Sequence, residues 1–400
     1  MATAAVQPGV PSLLRVLNDR STLELLLTDG AITRAELGRR TGLSRVTASQ
    51  SLARLQARGL VEVVGSRSAG RGPNAELYAV RSRVGRALGL DVRAAGVGAT
   101  VSTVTGEMLE QAWEPAESRS VVDVAAAVVA DVLGRAGVDP DEVLSTVVGV
   151  PGVVDPTSGD VAFSYDLPEE GAGLASALES RLGLPVTLEN DVNLAAVAES
   201  ALGAAGGVDD AVLVWIGSGV GLAVTVAGRL HRGATGAAGE IGYLPVAGVP
   251  LPDRVDHVSQ GSFQRLVGTS ALAVLAEQHG LHLPAPRDAA AVAEAVAHAA
   301  GGGHDAFLQE VARRIALGVA AVCTVLDPGL VVLTGQTGLA GGDRLAEMVR
   351  EHVERVAPVH PRVVPSGVGE SAVLDGASLR AVRSARQMLL ARLDDGGPDV

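Results

Sequence analysis

The sequence predicts an all-α/winged helix-turn-helix head over residues 1–84, followed by an α/β body over residues 85–400. Three observations lead there. Residues 1–86 carry 13 arginines against 6 acidic residues, while the remainder carries 19 against 39, within an overall net charge of −13. The basic part contains two short helical patterns joined by a glycine turn. The acidic part contains apolar strands that run into glycine-rich turns, interrupted by helices, which is a mixed α/β layout and not a plain βαβ repeat.

Length and composition set the frame. A chain of 400 residues holds two or three domains with real cores. At 47% hydrophobic and 19% charged residues it is globular, far from disordered composition. All 32 basic residues are arginine, which together with the abundant Ala, Gly and Val reads as coding bias, not function. A basic module on an acidic body points to a polyanion-binding head and a body that stays off nucleic acid. The single cysteine, Cys323, excludes an internal disulfide and a multi-cysteine zinc site; it suits a buried small hydrophobe. No basic-then-apolar export signal opens the sequence, which predicts a cytoplasmic protein. Residues 211–228 are 18 in a row without a charge, but their GSGVG centre and alternating β-branched residues suit strand-turn-strand better than a membrane span.

In the head, leucines 13, 14, 17, 23, 26 and 27 have roughly helical spacing, and Gly30 is a natural stop. Thr33 and Glu36 form a capping box for a short helix, Thr41-Gly42-Leu43 makes a tight turn, and Ser44 caps a second helix to about Arg58. That is a helix-turn-helix signature. On the second helix Ala48, Leu52 and Leu55 share an inward face, leaving Arg45, Val46, Thr47, Ser49 and Gln50 outward at the end that enters a major groove. Arg45 suits guanine, Gln50 adenine, and Val46 or Thr47 a thymine methyl. Arg54 and Arg58 suit phosphates. Residues 60–64 and 75–80 alternate as two strands around a loop bearing Arg67 and Arg71, a wing for the DNA backbone or a minor groove. The competing reading of the head is a protein-interaction module with a hairpin.

The body opens with a strand from Leu88, a hairpin over residues 97–104 and 107–109, and an amphipathic helix over 121–136. Residues 147–150 enter the loop Pro151-Gly152-Val153-Val154-Asp155. A strand then stops in Glu189-Asn190-Asp191 before an alanine-rich helix, placing an amide and a carboxylate at the carboxyl edge of a sheet, where open α/β folds hold ligands. Asn190 or Asp191 serves equally well as a plain helix cap. Residues 211–216 and 222–226 flank the turn GSGVG, which alone is a weak phosphate signal. Glu240 follows glycines at 233, 236 and 239, and a glutamate there suits sugar hydroxyls as an acceptor-only partner. Residues 319–326 form a buried helix, and 330–333 a strand entering another glycine turn.

Taken in order, GVPGVVD at 149–155, PVTLENDVNLAAVAE at 185–199, GSGVG at 217–221, the GxxGxxGEIGY run from Gly233 and LDPGLVVLTG at 326–335 resemble the ROK family of repressors, open reading frames and sugar kinases. The resemblance covers most of residues 85–390, and the head, with its phrase ITRAELGRRTGLS, resembles that of ROK repressors. It implies an actin-like, two-lobed fold of ribonuclease H type with sugar between the lobes. By position, Asn190, Asp191 and Glu240 would contact the sugar and Gly152 would line its pocket. In the family's kinases the carboxylate matching Asp191 is the base that activates the sugar hydroxyl.

Three departures shape the expectation. The kinases' first phosphate loop, D-x-G-G-T, is here Asp91-Val92-Arg93-Ala94-Ala95, so an arginine and side chains stand where a glycine pair would be. The family's cysteine-rich zinc motif is missing after Gly242, and Tyr243 stands in the place of the family histidine, removing a zinc ligand and changing the sugar pocket. The combined expectation is a sugar-responsive repressor acting on a palindromic double-stranded DNA operator as a homodimer or homotetramer, with no zinc, ATP or other cofactor and no catalytic residue. The alternative is an ATP-dependent sugar kinase carrying a DNA-binding head, with Asp191 as its base.

Overall fold

Leu23, Leu26 and Leu27, three and one residues apart, are buried along helix α1 (Pro11–Asp29), and Gly30 follows its end. The computed structural model describes residues 11–68, 74–164, 167, 171–256 and 261–394. A two-residue strand, β1 (Ile32–Thr33), leads into helix α2 (Arg34–Thr41). The expected capping box is formed there, with Glu36 N donating to Thr33 Oγ1 and Thr33 N to the Glu36 carboxylate. Gly42 ends α2 in the left-handed region, and Ser44 caps helix α3 (Arg45–Ala57) by accepting from Thr47 N. Ala48, Leu52 and Leu55 turn inward as their spacing requires. Strands β2 (Val61–Arg67) and β3 (Ala75–Val80) pair as an antiparallel wing, with β1 on the free edge of β3. Arg71 lies outside the described residues.

The body uses one plan twice. In the first lobe β4 (Arg86–Arg93), β5 (Gly96–Thr103) and β6 (Met108–Pro115) form an antiparallel meander, followed by α4 (Val121–Ala136). Strand β7 (Val143–Val150) returns parallel to β4; the ribbon β8 (Val153–Val154) and β9 (Val161–Phe163) and helix α5 (Leu174–Leu182) then lead to β10 (Val186–Asn190), parallel to β7. Helix α6 (Asp191–Leu202) crosses to the second lobe. There β11 (Ala211–Ile216), β12 (Val220–Val226) and β13 (Arg229–His231) repeat the meander. Helices α7 (Gln264–Val267), α8 (Thr269–Gln278), α9 (Ala289–Ala300) and α10 (Asp305–Leu326) precede β14 (Leu330–Thr334), α11 (Gly335–Val356) and β15 (Arg362–Pro365). The sheet orders β10-β7-β4-β5-β6 and β15-β14-β11-β12-β13 thus match strand for strand.

Packing explains why the central strands are buried along their whole length. Every residue of β5 and β7 is buried, because helices cover both sheet faces. On one face sits α4. On the other lies the last helix, α12 (Ala372–Asp394), which leaves the second lobe and returns to the first. Gly376 makes that return possible, since a Cβ there would overlap the Leu194 carbonyl oxygen of α6. The two helices therefore touch main chain to main chain. From there α12 runs on to the head, and its Leu389, Leu390 and Leu393 share a buried cluster with Leu23, Leu26, Leu52 and Leu55. The return strand expected over residues 107–109 is the longer β6, whose alternation is masked because it is a half-exposed edge strand. Among the described residues no helix is long and apolar enough to cross a membrane.

Candidate functional site

The expected sugar residues come together in one cleft of about 380 Å³ between the lobes, lined by Gly152, Asn190, Asp191, Glu240 and Tyr243. Each is placed by local backbone chemistry. Gly152 turns the chain after β7 with φ +114°, and a Cβ there would collide with the Phe163 carbonyl, so only glycine keeps this wall open. Asn190 is both cap and wall: its Oδ1 accepts from Asn193 N at 2.9 Å, while its Nδ2 donates to Gly152 O at 3.0 Å and Asp191 Oδ1 at 3.1 Å. The two readings of Asn190 are therefore one arrangement, in which capping α6 fixes the amide at the cleft. Asp191, the first residue of α6, also accepts from Val192 N at 2.8 Å.

Glu240 differs from its neighbours. Among the described residues its carboxylate has no hydrogen-bond partner, and burial pushes its pKa above the usual glutamate range. A half-buried carboxylate with free lone pairs is an acceptor waiting for hydroxyl donors. Tyr243 packs edge-on against Phe163 with centroids 6.4 Å apart and donates its hydroxyl to Val255 O at 2.8 Å. The turn Ser218-Gly219-Val220-Gly221 also lines the cleft.

Two wall residues went unnoticed in the sequence. Trp113 and Trp215, the only tryptophans in the chain, both face this cleft. In a chain that is 2% aromatic, that concentration was the signal available. Arg93 lines the cleft too, with Cζ 5.6 Å from the Trp113 ring centroid and Nη2 2.5 Å from Asp91 Oδ2. Burial pushes the Asp91 carboxyl upward, and Arg93 opposes that shift. The arginine that replaces the glycine pair is thus held over the cleft by a buried acid and an indole face.

The head presents a second surface. Arg45, Val46 and Gln50 are exposed on α3, Val46 to 67%, and among the described residues neither the Arg45 nor the Gln50 side chain makes a hydrogen bond. Thr47 and Ser49 are half-buried, with their hydroxyls bound to Ser44 Oγ and Arg45 O. Arg54 departs from the expectation of an open phosphate contact. Its Nε and Nη2 grip Asp19 of α1 at 2.8 and 2.6 Å, and Ser51 donates to the same carboxylate. Arg58 likewise donates to Arg392 O of α12 at 3.0 Å, and Arg67 pairs with Glu36 at 2.7 Å.

The model of the ROK family matches residues 87–383. The chain belongs to the ROK family. A MarR family model matches residues 18–72 of the head. The xylose repressor of Bacillus subtilis is 24% identical over 238 residues, which span 59% of this chain and 62% of that protein. The DNA-binding transcriptional dual regulator NagC of Escherichia coli is 25% identical over 280 residues, covering 69% of this chain and 68% of NagC. Among solved structures, a ROK family transcriptional regulator described as a homologue of the E. coli MLC protein superposes with a TM-score of 0.73 at 19% identity, covering 96% of this chain and all of that one. A ROK glucokinase from Streptomyces griseus, in complex with glucose and AMPPNP, matches 75% of this chain and all of its own, with TM-score 0.62 and 27% identity.

The donors that a ROK zinc site needs do not fit here. Cys323, the only thiol, is buried in α10 with its pKa pushed up to about 11 by burial and by Asp327, and position 243 carries a phenol. Among the described residues no three His, Cys, Asp or Glu side chains are grouped to hold a metal.

Proposed function

We propose that this ROK protein is a sugar-responsive transcriptional repressor, in which a sugar or sugar derivative in the cleft lowers affinity for a palindromic operator. The observation that carries the reading is the convergence of Asn190, Asp191, Glu240 and both tryptophans on one cleft, in a chain whose α3 offers a bare Arg45, Val46 and Gln50 surface. Acceptors meet hydroxyl donors, and aromatic faces meet the apolar faces of a sugar ring. The names of the related repressors agree with it.

Response requires that the sugar favour one arrangement of the lobes over another, by roughly 1–3 kcal/mol for ordinary allosteric coupling. Helix α12 supplies the route: it is packed on α6, which begins at Asp191, and it ends against the head. In a dimer the recognition helices must sit about 34–36 Å apart to read successive major grooves, so a modest rotation costs operator affinity.

The test uses the tryptophans. Intrinsic fluorescence of the full-length protein, titrated with a panel of neutral sugars, should report saturable binding of at least one. The same sugar should release an operator found by binding-site selection. Asp191→Ala and Glu240→Ala should keep operator binding and lose release; normal release in both variants would place the sensor elsewhere. The second reading, a sugar kinase, is favoured by Asp191 sharing the cleft with the GSGVG turn. ATP-dependent phosphorylation of a hexose, abolished by Asp191→Asn, would establish it in place of the first.

A further inference from the structure

A second cavity, of about 520 Å³, lies between α6, the β12–β13 turn and α12, and its chemistry is the reverse of the sugar cleft. Four arginines line it, Arg229 and Arg232 from the second lobe and Arg380 and Arg383 from α12, and its lining contains no acidic side chain. Among the described residues, two of these arginines pair with Glu189, which is buried. Its Oε2 accepts from Arg232 Nε and Nη2 at 2.9 and 2.7 Å and also from Arg380 Nη1. Arg229 and Arg383 are exposed and have no ion pair among the described residues.

Guanidiniums do not discharge at any ordinary pH, so three positive charges remain in excess. Burial lowers the Arg380 pKa, as do Arg232 and Arg383, against the pull of Glu189. This sits in a body whose residues beyond 86 carry 19 arginines against 39 acids, so the local excess is not a reflection of overall charge. On α12 the lining residues Arg380, Arg383, Ser384 and Gln387 fall at i, i+3, i+4 and i+7, a single helix face. Thr187, Ser200 and Thr225 add hydroxyls around it.

We propose that this cavity binds a small phosphate-bearing anion, free phosphate or a phosphomonoester, through Arg229, Arg232, Arg380 and Arg383. Arginine forks match phosphate oxygens in pairs, and the volume falls within the range of small-ligand sites. The anion bridges the lobes, since two of the arginines come from each side. It also competes with Glu189 for Arg232 and Arg380. The other oxygen of Glu189 accepts from Asn190 N at 3.2 Å and Asn193 Nδ2 at 3.1 Å, so one carboxylate links the arginines of this cavity to Asn190 of the sugar cleft.

The test does not depend on the sugar reading. Full-length protein in phosphate-free buffer is titrated calorimetrically with inorganic phosphate and with glycerol 2-phosphate. One saturable site per chain is expected, weakened at least tenfold in the double variant Arg229→Gln/Arg383→Gln and unchanged in Asp191→Asn. Arg383→Lys should recover part of the loss, and circular dichroism should show every variant folded. Absence of saturable binding overturns the proposal. So does binding that disappears in Asp191→Asn while surviving the double variant, because the anion would then occupy the sugar cleft. A change of oligomeric state in the double variant without phosphate binding would make the cavity a contact between copies, again overturning it.

Discussion

Arg58, the residue that closes α3, donates its Nη2 to the backbone carbonyl of Arg392 near the end of α12, 3.0 Å away. The residue read as a phosphate contact therefore faces the body, and the body's last helix reaches α3 directly. Replacing Arg58 with alanine should leave the groove surface intact while loosening this link. The expected result is little change in operator affinity without sugar and a fall of about 0.5–1.5 kcal/mol in the coupling between sugar and operator, the worth of one hydrogen bond. Operator affinity with and without saturating sugar measures it.

Arg45→Ala and Gln50→Ala should each relax base preference at one position of the operator by roughly 1–3 kcal/mol. Both side chains are exposed and without hydrogen bonds among the described residues, so neither change disturbs the fold. Unaltered preference in a binding-site selection would refute the assignment of α3 to the groove.

Arg54→Ala should act on stability instead. Removing it leaves Asp19, only 7% exposed, with Ser51 as its remaining side-chain donor among the described residues. An abandoned buried acceptor costs about 1–3 kcal/mol. The loss should appear in the thermal unfolding of the head, and a variant as stable as the parent would show that the pair contributes nothing net.

Glu240 ties stability to pH. Burial raises its carboxyl pKa in the folded protein above that of the unfolded chain, so the folded form holds its proton more tightly. Its contribution is fully present below the unfolded value and is lost as pH rises through the folded one. Glu240→Gln should flatten that part of the profile and melt higher than the parent near neutral pH, while losing sugar affinity. Melting curves that stay parallel across the mildly acidic range would count against a buried, unpartnered carboxylate.

Much of this was legible in the residues, because local chemistry decided it. Thr33, Glu36, Gly42 and Ser44 dictate caps and turns whatever surrounds them, and the helix over 121–136 was delimited to the residue. Asn190 and Asp191 stand out because polar groups close an apolar run, and Glu240 because it follows regularly spaced glycines; the fold brings all three to one cleft. The partners of Arg54, Arg58 and Arg67 were not legible, since each is met only after the chain has folded back, in the case of Arg58 across more than three hundred residues. Trp113 and Trp215 were missed for the same reason: strands from different lobes bring them to one cleft. The arginine cavity escaped because its members, split between β13 with the residue that follows it and α12, share no motif.

The contact at Gly376 has a consequence for how such a molecule changes its diet. With no side chain between α12 and α6, the joint has no padding to compress, and at 1.5 Å per residue the strut extends roughly 24 Å from there to Arg392. Under the proposed function, a tilt at its base is carried along this helix to the head. On that proposal, the walls of the cleft are open to replacement for a new sugar, residue by residue, while the α12 joint stays as it is.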